Sequence, residues 1–317
     1  MLMKYKMCVY KFDRIRTYKR FVFLFVLVIS FLTSCTSGEE DLLELEEIMN
    51  NLEKQDESNI EGSKISNYMN LVSADGYLQG ADCYGDYLFQ FVDHNASVMI
   101  HDLKEKEHVG KVVLSSKSQN HCNNVSFSRV FYDEKDEFPL LYVSGSRDKN
   151  HNQVQVYRIK KEATTFHVEQ IQEIVLPKAT SQNGLYWTGV VMDNSNNYMY
   201  IYANSDSAQI VKLQIPDVSQ YDVILSEEDI ISQFSLEKFT HQQGATIFLN
   251  KMYVLDGVPA WGDTNYLRII DLEKQKNIAK INVTDMGLKA EPEGTFVYKN
   301  ELFCAANNSR VFKISLK

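Results

Sequence analysis

A two-residue pattern returns five times along this chain, each time as Leu or Met followed by an aromatic residue. The five copies are Leu88-Phe89, Leu141-Tyr142, Met199-Tyr200, Met252-Tyr253 and Leu302-Phe303. Their aromatic members lie 53, 58, 53 and 50 residues apart, and each pair sits in a short apolar run that a second β-prone run follows. Self-similarity at such a period, with several short strands in each period, is typical of a β-propeller. The sequence therefore predicts an all-β propeller.

The number of blades follows from counting strands. Four β-prone runs can be assigned to each of the first four periods, but the last period shows only three before the chain reaches Lys317. A three-stranded last blade would leave an open sheet edge, which proteins avoid. The spare run 67–72 precedes the first blade, and we predict that it pairs with 309–316. The expectation is five four-stranded blades with the ring closed by an N-terminal strand; six blades stay the alternative.

The first 35 residues carry the features of an export signal. Seven basic residues precede a 13-residue apolar core, 21–33, which ends at Leu32-Thr33-Ser34-Cys35. Thirteen helical residues reach about 20 Å, short of the roughly 30 Å of a hydrocarbon core, so a signal peptide is favoured over a spanning helix. The ending resembles a bacterial lipobox, which implies lipidation at Cys35. An ordinary secretory signal is the alternative. We divide the chain into a signal peptide 1–34, an acidic tether 35–62 and a propeller domain 63–317.

Charge narrows the class of partner. Removal of 1–34 takes away seven of the 33 basic and one of the 42 acidic residues, which leaves 26 bases against 41 acids and a net charge of −15. Nucleic-acid binding needs a basic face, so a nucleic-acid partner is not expected. The membrane contact would come from the lipid anchor. The acids just after Cys35 resemble an export tag for the outer membrane, on its periplasmic or outer face.

Three cysteines fall in the predicted propeller: Cys83, Cys122 and Cys304. An odd number allows at most one disulfide, and the spacing fits no metal knuckle. We predict buried free thiols.

The starts of the innermost strands supply the candidate site. They align through Gln79-Gly80, Thr188-Gly189, Gln243-Gly244 and Glu293-Gly294, and the second blade enters through Asn123-Asn124. The residues two positions earlier form a second set whose side chains point the same way, because strand side chains alternate with a period of two. We predict that a ring of polar side chains at the channel mouth binds a small polar ligand. Its members are Gln79, His121, Asn123, Tyr186, His241, Gln243, Glu291 and Glu293.

Other interpretations of these residues stay open. Polar groups at a channel mouth often only satisfy the backbone, and the glycines can serve close backbone approach near the axis. His121, His241, Glu291 and Glu293 are acceptable metal ligands, but no local spacing supports a metal site, and we predict no cofactor. Glu291 or Glu293 could act with Asp82 or Asp193 as paired carboxylates. Trp261, in a loop of the fourth blade, is a further candidate for stacking on a ligand.

The lipobox, the acidic tether and the blade series resemble the lipid-anchored bacterial β-propellers, in the style of TolB-like and gluconolactonase-like propellers. The segment Glu291-Pro292-Glu293-Gly294 at a blade-opening strand is similar to theirs. The resemblance implies fold and location only, because the calcium set of the gluconolactonase type cannot be placed on this sequence. Two functions follow as expectations. The first is a cell-envelope binding module for a glycan, a peptide or an envelope protein; the alternative is a hydrolase or lyase acting on carbohydrate or lactone.

Overall fold

The computed structural model shows a ring of five sheets, and its described residues form 21 strands, all paired antiparallel except one. The described residues all belong to one compact unit, 52–317. They are 63–72, 76–93, 95–115, 122, 124–145, 152–177, 188–204 and 206–316. The predicted signal peptide and the predicted tether lie outside this described part. No helix within it is long and apolar enough to cross a membrane.

The strands follow one another blade by blade. The first strand of the described residues is β1 (Lys64–Asn70), which belongs to the last blade. Blade I contains β2 (Leu78–Tyr84), β3 (Tyr87–Val92), β4 (Ser97–Asp102) and β5 (Glu107–Val113). Blade II contains β6 (Val125–Phe127), β7 (Leu141–Ser144), β8 (Gln153–Glu162) and β9 (Thr165–Val175).

Blade III contains β10 (Thr188–Asp193), β11 (Tyr198–Asn204), β12 (Ala208–Gln214) and, after the short β13 (Asp222–Ile224), its outer strand β14 (Ile230–Leu236). Blade IV contains β15 (Gln242–Phe248), β16 (Lys251–Asp256), β17 (Tyr266–Asp271) and β18 (Lys276–Asn282). Blade V contains β19 (Pro292–Tyr298), β20 (Glu301–Ala306), β21 (Arg310–Ser315) and β1. The prediction of five four-stranded blades is confirmed.

The repeated dipeptide lies in the second strand of every blade, and its alternation explains why it repeats. Leu88 packs into the hydrophobic core shared by blades V and I, whereas Phe89 packs into the core shared by blades I and II. Met199 and Tyr200 divide in the same way between the cores on the two sides of blade III. Adjacent strand residues point to opposite faces of a sheet. The two side chains of each pair therefore fill the two interfaces that a blade forms with its neighbours.

The ring is closed by β1, as predicted, although this strand lies further toward the N-terminus than the sequence pattern suggested. Lys64 pairs with Ser315 and Asn70 with Arg310 in an antiparallel ladder. Met69 and Leu71 are buried in the core between blades V and I. The first half of β1 is polar and largely exposed, so it carries no apolar signal that would have marked its start.

The segment between β12 and β14 differs from expectation. Four β-prone runs per blade would place this whole segment in the outer part of blade III. Instead β13 pairs in parallel with β9 and adds a fifth, short strand to blade II, whereas β14 completes blade III. This connection straps two neighbouring blades together at their outer edges.

Candidate functional site

The innermost strands β2, β6, β10, β15 and β19 form the inner wall of the ring, and they meet at one level. The residues at this level are Gly80, Asn124, Gly189, Gly244 and Gly294, as the sequence alignment predicted. A Cβ atom on Gly80 would lie 2.6 Å from the Cα of Asn124, and one on Gly244 would lie 2.6 Å from the Cα of Gly294. These contacts are far shorter than real Cβ atoms allow. Glycine is therefore required at Gly80 and Gly244 so that the backbones can approach closely. This agrees with the alternative explanation of the repeated glycines given by the sequence.

Asn124 replaces glycine in this ring and closes it. Its side chain is fully buried, and its Nδ2 donates to the carbonyl oxygens of Val190 at 2.6 Å and Ala245 at 3.0 Å. It thus ties blade II to blades III and IV across the centre. At this level the inner strands of blades I and II and those of blades IV and V come into close backbone contact. We call the strand starts on one side of this level, with the residues around them, the mouth.

Three predicted residues lie one position before the ring level, and they are more buried than a solvated site would require. Gln79, Gln243 and Glu293 keep 5%, 7% and 3% of their surface exposed. These three side chains are therefore largely shielded from bulk water. Gln79 and Glu293 occupy equivalent positions on neighbouring strands, β2 and β19.

Glu291 is the most firmly positioned acid of the mouth. Its Oε1 accepts a hydrogen bond from Gln243 Nε2 at 3.1 Å, and its Oε2 accepts one from Asn307 Nδ2 at 2.8 Å. The backbone of Asn307 also donates to the Glu291 carbonyl oxygen at 3.0 Å. Two amides from two blades therefore hold the carboxylate in one orientation. The structure brings together Gln243, Glu291 and Glu293 of the predicted set.

Glu293 has unusual electrostatics. Burial raises the pKa of its carboxyl well above the ordinary value, and the negative charges of Glu291 and Asp93 raise that pKa further. Asp93 follows β3 directly and is itself buried. Desolvation and like charge both favour the neutral form of an acid. The mouth thus combines one carboxyl biased toward protonation with two acidic neighbours, an arrangement found at ligand and catalytic sites.

His241 stands at the rim of the mouth with two partners. Its Nδ1 lies 2.6 Å from Asp263 Oδ2, and its ring lies edge-on to Trp261 at 4.8 Å between ring centroids. Asp263 also accepts a hydrogen bond from the backbone of Val258 at 2.9 Å, which fixes the loop that carries Trp261. The Trp261 side chain is 69% exposed. A carboxylate that holds one ring nitrogen sets the orientation of the imidazole.

A second carboxylate group with a raised pKa lies beyond the ring level, on the far side from the mouth. Burial raises the pKa of Asp82 to about 7, although hydrogen bonds from the backbone of Phe127 and Cys83 act in the opposite direction. These bonds are 2.7 and 2.8 Å long. Asp193 accepts hydrogen bonds from Ser195 and Asn196 in the turn after β10. Asp82 and Asp193 are thus engaged elsewhere, and the acid that neighbours Glu293 and Glu291 is Asp93.

Several expectations fall outside the described residues. These are Cys35, His121, Asn123 and Tyr186, which stay predictions. Among the described residues, no group of three His, Cys, Asp or Glu side chains is arranged to hold a metal ion. Cys83, Cys122 and Cys304 are free thiols, as predicted; Cys122 and Cys304 are also buried, whereas Cys83 is only partly buried.

Sequence reasoning missed Asp93, Asn307 and Asp263. A sequence signal marks Asp93 and Asn307: each follows the aromatic member of a repeated dipeptide by four residues. That offset places both immediately after the second strand of a blade, next to the start of the first strand. Asp263 lies in an irregular loop, and no repeat marks it.

The ring of five blades and its polar mouth define the class of protein as a β-propeller. No protein-family model matches the sequence, and no curated protein matches it. Among solved structures, the chain is similar to glutaminyl cyclase from Myxococcus xanthus, with 10% identity, a TM-score of 0.51 and coverage of 80% of this chain and 97% of that one.

Two further structures are similar at lower scores. A luciferin-regenerating enzyme matches at 9% identity and a TM-score of 0.44, with coverage of 80% of this chain and 77% of that one. The Cps50 (Swd1) β-propeller domain of Myceliophteria thermophila matches at 11% identity and a TM-score of 0.39, with coverage of 81% and 100%. Only the first score exceeds 0.5, and at 10% identity that similarity supports the fold alone.

Proposed function

We propose that this protein is a lipid-anchored propeller of the bacterial outer membrane whose mouth binds a small polar ligand, in free form or as part of a glycan, a peptide or an envelope protein. The observation that carries the binding site is the convergence of Gln243, Glu291 and Glu293. Burying polar groups costs free energy, and a strand needs none of these side chains in order to pack. A few polar groups that converge on one place are the usual mark of a ligand site.

The anchor is proposed from the sequence. The signal ends at Cys35, an acidic tether follows it, and the net charge is −15 after removal of 1–34. Such a charge disfavours contact with anionic lipid, so attachment to the membrane would come from the lipid anchor alone.

The binding proposal is tested with Glu293→Gln in the full-length protein, purified in detergent. Gln keeps the shape of Glu and removes the titrating oxygen. Glu301→Gln is the matched control, because Glu301 is an exposed residue of the same blade. A panel of sugars, short peptides and polar metabolites is screened by thermal shift and then by calorimetry.

We expect Glu293→Gln to lose at least tenfold in affinity for a ligand that the parent and the Glu301→Gln variant bind equally, which corresponds to about 1.4 kcal/mol. If Glu293→Gln melts like the parent and binds the same ligand as tightly, the ligand site does not involve the mouth.

A second candidate function rests on the raised pKa of Glu293. A carboxyl whose pKa is raised, beside the carboxyl of Glu291, is the kind of pair that serves as acid and base in a hydrolase or lyase. Turnover of aryl glycosides and lactones by the parent tests it. A general acid must be protonated, so the rate would fall as the pH rises through the pKa of Glu293. Loss of that limb of the pH profile in Glu293→Gln would support catalysis over binding alone.

A further inference from the structure

We infer that the mouth recognises a primary carboxamide group, so that the ligand of this propeller is an uncharged amide or a molecule that presents one. This inference rests on the proposed binding function and names the chemical class of its ligand. It follows from two buried side chains of the innermost strands, Gln79 and Glu293, and from the hydrogen bonds that they leave unmade.

Gln79 supplies a buried acceptor without a donor. Its side chain keeps only 5% of its surface exposed, and no described residue donates a hydrogen bond to its Oε1. The backbone carbonyl oxygen of Gln79 is engaged, because Gln90 Nε2 donates to it. A buried acceptor that stays unpaired costs free energy. The unpaired oxygen therefore indicates that a donor comes from a bound ligand.

Glu293 supplies the complementary group. Its side chain keeps 3% of its surface exposed, and its carboxyl forms no hydrogen bond within the part of the chain that the structure describes. Burial and the charges of Glu291 and Asp93 raise the pKa of this carboxyl well above the ordinary value, which favours the neutral form. A neutral carboxyl has one O–H donor and a carbonyl oxygen that accepts.

The two side chains lie on neighbouring strands, on the same side of the ring level. Gln79 directly precedes Gly80 on β2. Glu293 directly precedes Gly294 on β19, so the two residues hold equivalent positions. A Cβ atom on Gly294 would lie 2.5 Å from the backbone nitrogen of Ala81, so the two strands are in contact one step further along. A single ligand group can therefore reach both side chains.

The hydrogen bonds left unmade match the donors and acceptors of one functional group. The Oε1 of Gln79 and the carbonyl oxygen of Glu293 each need a donor, and the O–H of Glu293 needs an acceptor. A primary carboxamide has two N–H donors and a carbonyl acceptor in one plane. A hydroxyl group has a single hydrogen, and an ammonium group has no acceptor. A carboxylate has no donor, and the charges of Glu291 and Asp93 would repel it.

Aromatic residues at the rim suit the organic part of such a ligand. Tyr77 and Trp261 expose 68% and 69% of their surfaces. The backbone of Asp93 donates to the Tyr77 carbonyl oxygen at 2.8 Å, so Tyr77 lies next to one of the acids. Trp261 contacts His241. Because aromatic rings pack well on one another, a ring attached to the carboxamide makes a suitable probe.

Four small probes of similar shape separate the contributions. Benzamide is a primary carboxamide, N,N-dimethylbenzamide lacks the N–H donors, benzoate is the anionic counterpart, and benzyl alcohol carries a hydroxyl group. Each is titrated by ligand-observed NMR into the full-length protein in detergent, with detergent alone as the blank. The same titrations use Gln79→Met, which keeps the length of the side chain and removes its amide. Gln233→Met is the matched control, because it makes the same substitution at an exposed residue of β14.

We expect benzamide to bind more tightly than each of the other three probes by about tenfold or more, because only benzamide supplies every missing bond. Gln79→Met should weaken benzamide by roughly fivefold or more, as expected for the loss of one hydrogen bond, and Gln233→Met should leave it unchanged. Since Gln79→Met removes an unpaired buried acceptor, it should melt no lower than the parent. If Gln79→Met does not fold, the ranking of the four probes on the parent protein decides alone.

Equal binding of benzamide and N,N-dimethylbenzamide, or tighter binding of benzoate or benzyl alcohol, would overturn the inference. An unchanged affinity for benzamide in folded Gln79→Met would do the same, as would no binding of benzamide at millimolar concentration. In that last case the ligand screen separates two conclusions. A sugar or peptide whose binding depends on Glu293 would show that the mouth is a ligand site of another chemical class, whereas the absence of any such ligand would remove the proposed function as well.

Discussion

Replacing Asn124 with alanine tests the idea that one side chain closes the centre of the propeller. The inner strands are sheet edges, so every second backbone carbonyl group on them faces the axis instead of a neighbouring strand. Asn124 supplies donors to two of these groups, the carbonyl oxygens of Val190 and Ala245. Its Oδ1 also accepts from the Ala245 backbone at 3.4 Å. Alanine would leave both carbonyl groups buried and without their donor.

The magnitude follows from those two acceptors. A buried group left without a hydrogen-bond partner costs about 1–3 kcal/mol, and a water molecule in the vacated space would recover part of that. A loss of about 3 kcal/mol is therefore expected. For a domain of this size each kcal/mol lowers Tm by about 2–4 °C, so Asn124→Ala should melt about 6–12 °C below the parent.

The assay is thermal unfolding followed by circular dichroism, with two companion variants. Asn196→Ala makes the same substitution at an exposed turn residue, where a change within about 0.5 kcal/mol is expected. Asn124→Asp keeps the shape but brings a carboxylate against two carbonyl oxygens, and it should destabilise at least as strongly as alanine. If Asn124→Ala melts within about 2 °C of the parent, comparable to the effect at Asn196, the closure by Asn124 contributes nothing to stability.

Three further predictions follow from the fold and the sequence. A chain that begins at residue 75 lacks β1 with its buried Met69 and Leu71. Its free energy of unfolding should be several kcal/mol lower than that of a chain that begins at residue 60. Identical melting curves would disprove ring closure by β1. Cys35→Ser should release the protein from membranes and abolish labelling by a palmitate analogue, and retained labelling would contradict lipidation there. Burial and the nearby His108 lower the pKa of His101 to about 4. Unfolded chains therefore bind an extra proton between about pH 6.5 and 4, and the free energy of unfolding should fall by on the order of 3 kcal/mol as the pH drops through that window. A His101→Gln variant should lack this part of the pH dependence, and an equal pH dependence of the unfolding free energy in both proteins, measured with urea, would refute it.

The sequence allowed prediction of the features that repeat. The paired Leu or Met and aromatic residue is readable because every blade must fill two interfaces with the same second strand, as Leu88 and Phe89 do. The level of Gly80, Gly244 and Gly294 is readable because all inner strands must approach equally closely. The start of β1 was placed too late because its exposed polar residues carry no periodic signal. The assignment of β13 to blade II was missed because parallel pairing of a three-residue edge strand depends on the neighbouring blade and not on local sequence.

The site was only partly predictable, for a related reason. Glu291, Gln243 and Glu293 belong to repeated positions, and the alignment of inner strands brought them together correctly. Asp263 holds His241 from an irregular loop, and Asn124 departs from the glycine pattern of its ring. Both are exceptions to the repeat. An alignment of repeats identifies what the blades share, whereas asymmetric contacts need the coordinates.

The level of the inner-strand contacts divides the acids of the centre into two sets. Glu293 lies one residue before this level on β19, and Asn124 links three blades at the level itself. Asp82, whose pKa is raised to about 7, lies two residues beyond the level on β2 and accepts a hydrogen bond from the backbone of Phe127 in blade II. Chemistry at the mouth would therefore use groups on the Glu293 side of this level, among them Glu291, Glu293, Asp93 and His241. If a ligand binds there, the exposed Tyr77 and Trp261 flank its path, and substitutions at these two residues should alter both its association rate and its dissociation rate while leaving the buried acids in place.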